Sequence, residues 1–64
     1  MVKVNGVEVD AAGKTVWEHI TANDYNSKRI AVEHNGSIVF KSQYDITVLE
    51  EDDSLEIVNF VGGG

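Results

Sequence analysis

Apolar and polar residues alternate at both ends of the chain, and the period lengthens between them. Val2-Lys3-Val4 and Val7-Glu8-Val9 carry the two-residue repeat of half-buried strands. Asn5-Gly6 between them predicts a type I′ hairpin turn, because both residues accept positive φ. Asp10 to Lys14 is small and polar and contains Gly13, so it reads as a loop leading away from the hairpin. Thr15-Val16-Trp17-Glu18 is a capping box, with a hydroxyl and a carboxylate spaced to satisfy free N–H groups at a helix start. A helix from Val16 to Ala22 follows, with Val16 and Ile20 on one face and Trp17 at the core margin.

Asn23 to Arg29 is a polar connection, with Tyr25 as its one bulky side chain available to close the bottom of the core. Ile30-Ala31-Val32-Glu33-His34 predicts a strand, Asn35-Gly36 a second tight turn, and Ser37 to Phe40 the returning strand. Lys41 to Asp45 reads as irregular, Ile46 to Leu49 as extended or as a crossing segment, and the acidic run Glu50 to Asp53 as a solvated turn. The last strand, Leu55 to Val61, carries apolar residues on both faces. Leu55 and Ile57 have the parity expected to face the helix, while Val58 and Phe60 have the other. The order ββαβββ defines an α+β domain, a mixed sheet of four to five strands with one main helix packed on one face. A helical crossover makes the first and last strands central and parallel.

No second helix is available for the other sheet face, so Val58 and Phe60 are expected to lie partly exposed there. Shelter by loops is the plainer reading of these two residues. Docking of a partner over them and Val61 is the favoured one, because so small a domain has little else with which to cover a second face. The domain is expected to span residues 1–61, followed by a flexible glycine tail over 62–64. Gly62, Gly63 and Gly64 have no side chains, and a narrow active site admits such a tail where bulkier residues clash.

Composition narrows the function. Eleven acidic residues against five basic give a net charge of −6, which argues against a nucleic-acid partner and for basic protein surfaces. The chain has no cysteine, so disulfides, thiolate-held zinc and an internal persulfide are all excluded. His19 and His34 lack the spacing of a metal site and read as surface or core-edge residues; no metal is expected. No apolar run is long enough for a membrane span, and residues 1–20 lack signal-peptide character, so a cytoplasmic protein, monomeric when free, is expected. No nucleophile, base and orienting group can be assembled into an enzyme site.

Three segments carry a resemblance: Met1-Val2-Lys3-Val4-Asn5-Gly6, Ile30-Ala31-Val32-Glu33-His34-Asn35-Gly36, and Leu55-Glu56-Ile57-Val58-Asn59-Phe60-Val61-Gly62-Gly63-Gly64. Together they resemble the ThiS sulfur carriers of thiamine biosynthesis, over nearly the whole chain. The resemblance implies the ubiquitin-like β-grasp fold. It also implies that Gly64 is adenylated by an E1-like adenylyltransferase using MgATP and then converted to a thiocarboxylate with sulfur from a donor enzyme. Thiazole synthase would receive that sulfur. Gly62 and Gly63 would thread into the partner sites, and the carrier itself would hold no cofactor. Two departures stand out: Asp52 and Asp53 occupy a turn that usually carries a glycine, and His19 and Asn23 stand in a helix usually richer in leucine. A carrier for molybdopterin or another thiocarboxylate pathway is the nearest alternative. A β-grasp binding module that makes no use of the glycines is the other.

Overall fold

The computed structural model describes residues 1–60. Its strands are β1 (Val2–Val4), β2 (Val7–Val9), β3 (Ile30–His34), β4 (Ser37–Val39) and β5 (Ser54–Asn59), with one helix, α1 (Val16–Ala22), between β2 and β3. They form a five-stranded mixed sheet in the order β2-β1-β5-β3-β4. β5 is the central strand, parallel to β1 and antiparallel to β3. The sequence expectation of central, parallel first and last strands is therefore met. Both hairpins turn on Asn-Gly, with φ of +51° at Asn5 and Asn35 and +83° and +86° at Gly6 and Gly36.

The capping box forms as the sequence predicts: the Glu18 N–H donates to Thr15 Oγ1 at 3.0 Å, and the Thr15 N–H donates to Glu18 Oε1 at 2.8 Å. α1 then lays Val16, His19 and Ile20 on the sheet. Val2, Val4, Ile30, Val32, Val39, Leu55 and Ile57 rise from the strands to meet them, with Tyr25 packed partly against this core. Burying side chains such as Ile20, Leu49 and Leu55 fully contributes roughly 1.5 to 3 kcal/mol each. His19 goes deeper than a core margin, at 6% exposure. Asn23 meets it, donating from Nδ2 to the His19 carbonyl at 2.8 Å. Burial, with Lys14 as a lesser cause, lowers the imidazole pKa.

Two connections differ in character from the sequence reading, and between them Ile46 to Leu49 takes the second of its two readings. Lys41–Gln43 is a turn of 3₁₀ helix that delivers Tyr44 into the core at 3% exposure. Ile46 to Leu49 is a crossing segment bonded to the helix entry: the Val16 N–H donates to the Thr47 carbonyl at 2.9 Å and the Gly13 N–H to that of Leu49 at 2.7 Å. Leu49 is fully buried by this path. Finally, the acidic turn is not solvated throughout. Asp52 takes a positive φ of +69°, the conformation a glycine would adopt at no cost, and so turns Asp53 inward against β3. Among the described residues no helix is long and apolar enough to cross a membrane.

Candidate docking face and tail root

β5 is the element on which the site is built, because it alternates between the core and the open face and leads straight to the terminal glycines. Leu55 and Ile57 are buried, at 0% and 5% exposure, while Val58 and Phe60 are 56% and 57% exposed. Those four residues fall as their parity predicts. Val61, Gly62, Gly63 and Gly64 lie outside the described residues, so the docking role of Val61 and the threading and modification roles of the glycines carry no geometry here.

Register extends the open face beyond β5. Ala31 stands opposite Val58, and Glu33 stands opposite Glu56 on one side and Ile38 on the other. Val32 pairs with Val39, so the next step places Phe40 in line with Ala31 and Val58. Phe40 and Ile38 are 66% and 57% exposed. The face is thus a row of Phe40, Ala31 and Val58, with Phe60 beyond it and Ile38 beside it. Contiguous exposed apolar residues on so small a domain mark an interaction surface. The sequence reading found the β5 residues and missed Ile38 and Phe40. The signal was available, since a two-residue Asn-Gly turn fixes the register of its hairpin.

The side chains of the two turn asparagines hold β5 in place from opposite sides. Asn5 accepts from the Ile57 N–H at 2.7 Å and donates to the Ile57 carbonyl at 3.2 Å, extending the β1 edge by one side-chain amide. Asn35 accepts from the Ser54 N–H at 2.8 Å and donates to Asp53 Oδ1 at 3.0 Å. At the far end of the β3 edge the Phe60 N–H donates to the Arg29 carbonyl at 2.7 Å. The strand is therefore anchored from its start to the last described residue, which fixes the point from which the tail departs.

Asp53 anchors the start of β5. It accepts from Asn35, from His34 Nε2 at 2.6 Å and from the Glu50 N–H at 2.9 Å, and these bonds hold its pKa down to about 2. His34 is half-buried in this contact. The arrangement is structural: among the described residues no three acidic or histidine side chains gather to hold a metal. Two shallow depressions are lined by Lys14, Glu18, Thr21 and Ala22 and by Trp17, Lys41, Ser42, Tyr44 and Asp45; in the first the Thr21 hydroxyl donates to the Trp17 and Glu18 carbonyls and not to a side-chain base.

A five-stranded mixed sheet with one helix across one face defines a β-grasp domain. The family model of the ThiS family matches residues 2–64, and the chain belongs to that family of sulfur carriers, which are not themselves catalysts. The sulfur carrier protein ThiS of Bacillus subtilis is 33% identical over 66 residues, covering the whole of both chains. The crystal structure of the thiamine biosynthesis protein ThiS from Geobacter metallireducens matches with a TM-score of 0.79 and 31% identity, covering 98% of this chain and 97% of that one. Thiazole synthase of Magnetococcus marinus is 36% identical over 64 residues, which is 98% of this chain and 20% of that protein. The thiazole synthase of Paramagnetospirillum magneticum is 40% identical over 62 residues. The chain spans about a fifth of the length of these two relatives.

Proposed function

We propose that this chain carries sulfur for the thiazole ring of thiamine on the carboxyl group of Gly64. A carboxylate, with an ordinary pKa of roughly 3.3 to 3.7, is ionised at neutral pH and resists attack by a sulfur nucleophile. An E1-like adenylyltransferase overcomes this with MgATP: a Gly64 carboxylate oxygen attacks the α-phosphorus, pyrophosphate leaves, and an acyl-adenylate forms. Hydrosulfide delivered by a donor enzyme then attacks the acyl carbon, AMP departs with the electron pair of the acyl–oxygen bond, the S–H proton is lost, and a thiocarboxylate remains for thiazole synthase. Dividing one difficult substitution into two easier ones is the gain of covalent activation. All acid, base and metal chemistry belongs to the partners, and the cytoplasm, where ATP is plentiful, is the setting.

The observation that carries this reading is the anchored central strand, with Val58 and Phe60 exposed at the root of Gly62-Gly63-Gly64. A binding module with no use for its terminus gives no reason for that coincidence. The segments like this chain within two thiazole synthases favour the thiamine pathway over molybdopterin synthesis. Incubation with MgATP, the adenylyltransferase and a sulfur donor should replace one oxygen of Gly64 by sulfur, read by intact mass and fragmentation. No mass change, or sulfur located on an internal residue, overturns the proposal.

A further inference from the structure

Beyond Ile57 the central strand is held from one side. Among the described residues the hydrogen bonds from the β1 side end at Asn5 with Ile57, while on the other side Ala31 and Ile30 stay in register with Val58 and Asn59. The last tie is the one from the Phe60 N–H to the Arg29 carbonyl at 2.7 Å, and Arg29 precedes β3 instead of belonging to it. That carbonyl is therefore placed by a turn. Asn26 closes the turn twice: its side-chain Oδ1 accepts from the Lys28 N–H at 3.0 Å, and its backbone carbonyl accepts from the Arg29 N–H at 2.9 Å. Just before it, the Tyr25 N–H donates to the Ile20 carbonyl at 3.0 Å and the Tyr25 side chain packs partly against the core. The turn thus stands on the end of α1, and hydrogen bonds run from the helix through Asn26 and Arg29 to Phe60.

We propose that Asn26 is a positioning residue for the loading of Gly64: by holding the turn that offers the Arg29 carbonyl to Phe60, it fixes the root of the glycine tail before a partner binds. This inference rests on the sulfur-carrier reading for the reaction it serves. A strand end that is already placed has less conformational freedom to lose when the residues after it enter a partner's site. Without the Asn26 side-chain amide the turn keeps its backbone bond and loses the other, so the Arg29 carbonyl is less firmly placed and Phe60 frays from it. The geometry once bound is the same. The loss therefore falls on binding and leaves the chemical step alone.

Two measurements on Asn26→Ala and Asn26→Asp test this, the second variant keeping an oxygen that accepts from the Lys28 N–H. Asn26 is exposed, so neither change opens a cavity in the core. Amide exchange at Phe60 should quicken in Asn26→Ala and stay near the parent's rate in Asn26→Asp. In steady-state adenylation with MgATP and the adenylyltransferase, the KM for the carrier should rise about fivefold or more in Asn26→Ala, with kcat within about twofold of the parent, and Asn26→Asp should restore the KM. A loss of global stability alone would not divide KM from kcat in this way. A Phe60 amide as protected in Asn26→Ala as in the parent overturns the proposal. So does a quickened Phe60 amide with unchanged KM, or an Asn26→Asp carrier that behaves as the alanine variant does. If the unaltered carrier forms no adenylate, the carrier reading itself falls; if it does so while Asn26→Ala keeps the parent's KM, only the positioning role falls.

Discussion

The carboxylate of Asp53 accepts a 2.6 Å hydrogen bond from the imidazole of His34, tying the turn before β5 to the end of β3. Bonds from Asn35, then His34 and the Glu50 N–H, hold the Asp53 pKa down to about 2 from an ordinary 3.8. A depressed carboxylate pKa contributes stability that is complete above the unfolded-state value and is lost as pH falls through the folded one. The domain should therefore lose stability between about pH 4 and pH 2. Asp53→Asn should cost about 1 to 3 kcal/mol near neutrality and remove that part of the acid transition. Denaturant titrations of both proteins at several acidic pH values check this, and parallel pH profiles would count against it.

His19 predicts a second window at higher pH. Its pKa is lowered by burial and, less, by Lys14, so the folded state binds its proton more weakly than the unfolded chain does. Stability from this site is complete above the unfolded value of 6.5 and declines as pH falls toward the lowered folded value. His19→Leu places an apolar side chain against Tyr25, whose ring centroid lies 6.5 Å from the imidazole. The variant should gain about 1 kcal/mol near pH 6 and lose the slope below pH 6.5. Melting temperatures at pH 7.5 and 5.5 measure both effects; a slope unchanged by the substitution would place its origin elsewhere.

These two sites show where sequence reading stops. Local signals are strong in this chain: two Asn-Gly turns, one capping box and alternating strands predict the element order, the parallel central pair and the faces of Leu55, Ile57, Val58 and Phe60. The contacts of Asp53 with His34 and Asn35 span nineteen and eighteen positions, and no local pattern announces them. An acidic run reads as solvated because charge repels burial. Asp53 escapes that rule only because Asp52 turns the backbone and three donors converge on it. Tyr44 was hidden for a similar reason, since a single 3₁₀ turn has no apolar period to read.

The two faces of β5 should differ in energy as they differ in exposure. Ile57 is 5% exposed and packed in the core, so Ile57→Ala should cost about 2 to 5 kcal/mol. Phe60, 57% exposed, should cost about 1 kcal/mol or less when cut to alanine. Equal losses in a denaturant titration would assign both residues to the same side of the sheet.

Asn5 combines two roles, and they can be separated. Its φ of +51° favours Asn or Gly, while its amide makes both bonds to Ile57. Asn5→Gly keeps the backbone conformation and loses the clamp; Asn5→Ala loses both. We expect costs of about 1 kcal/mol for glycine and about 2 for alanine. Amide exchange should quicken at Ile57 in both variants; an Ile57 amide as protected as in the parent would show that the side-chain bonds do not hold the strand.

The glycines that follow β5 in the sequence have, under the carrier reading, a worth that is chemical and not structural. The reacting carbonyl must reach the α-phosphorus of a bound nucleotide, and every residue before it must pass through the partner's channel in whatever backbone conformation that channel demands. Deleting Gly64 leaves a carboxylate on Gly63, but shortens the reach by about 3.3 to 3.6 Å, enough to withdraw the reacting atom from its phosphate. Gly63→Val keeps the length and adds a branched side chain to the threaded segment. Both variants should melt within about 1 °C of the parent, since the changes lie past the core strand, whereas ordinary core losses move a small domain by several degrees. Both should form little adenylate or thiocarboxylate. Intact mass and melting temperature measured on the same samples decide the matter: a Gly63→Val protein that folds and gains sulfur at the parent's rate would rule out threading of the tail.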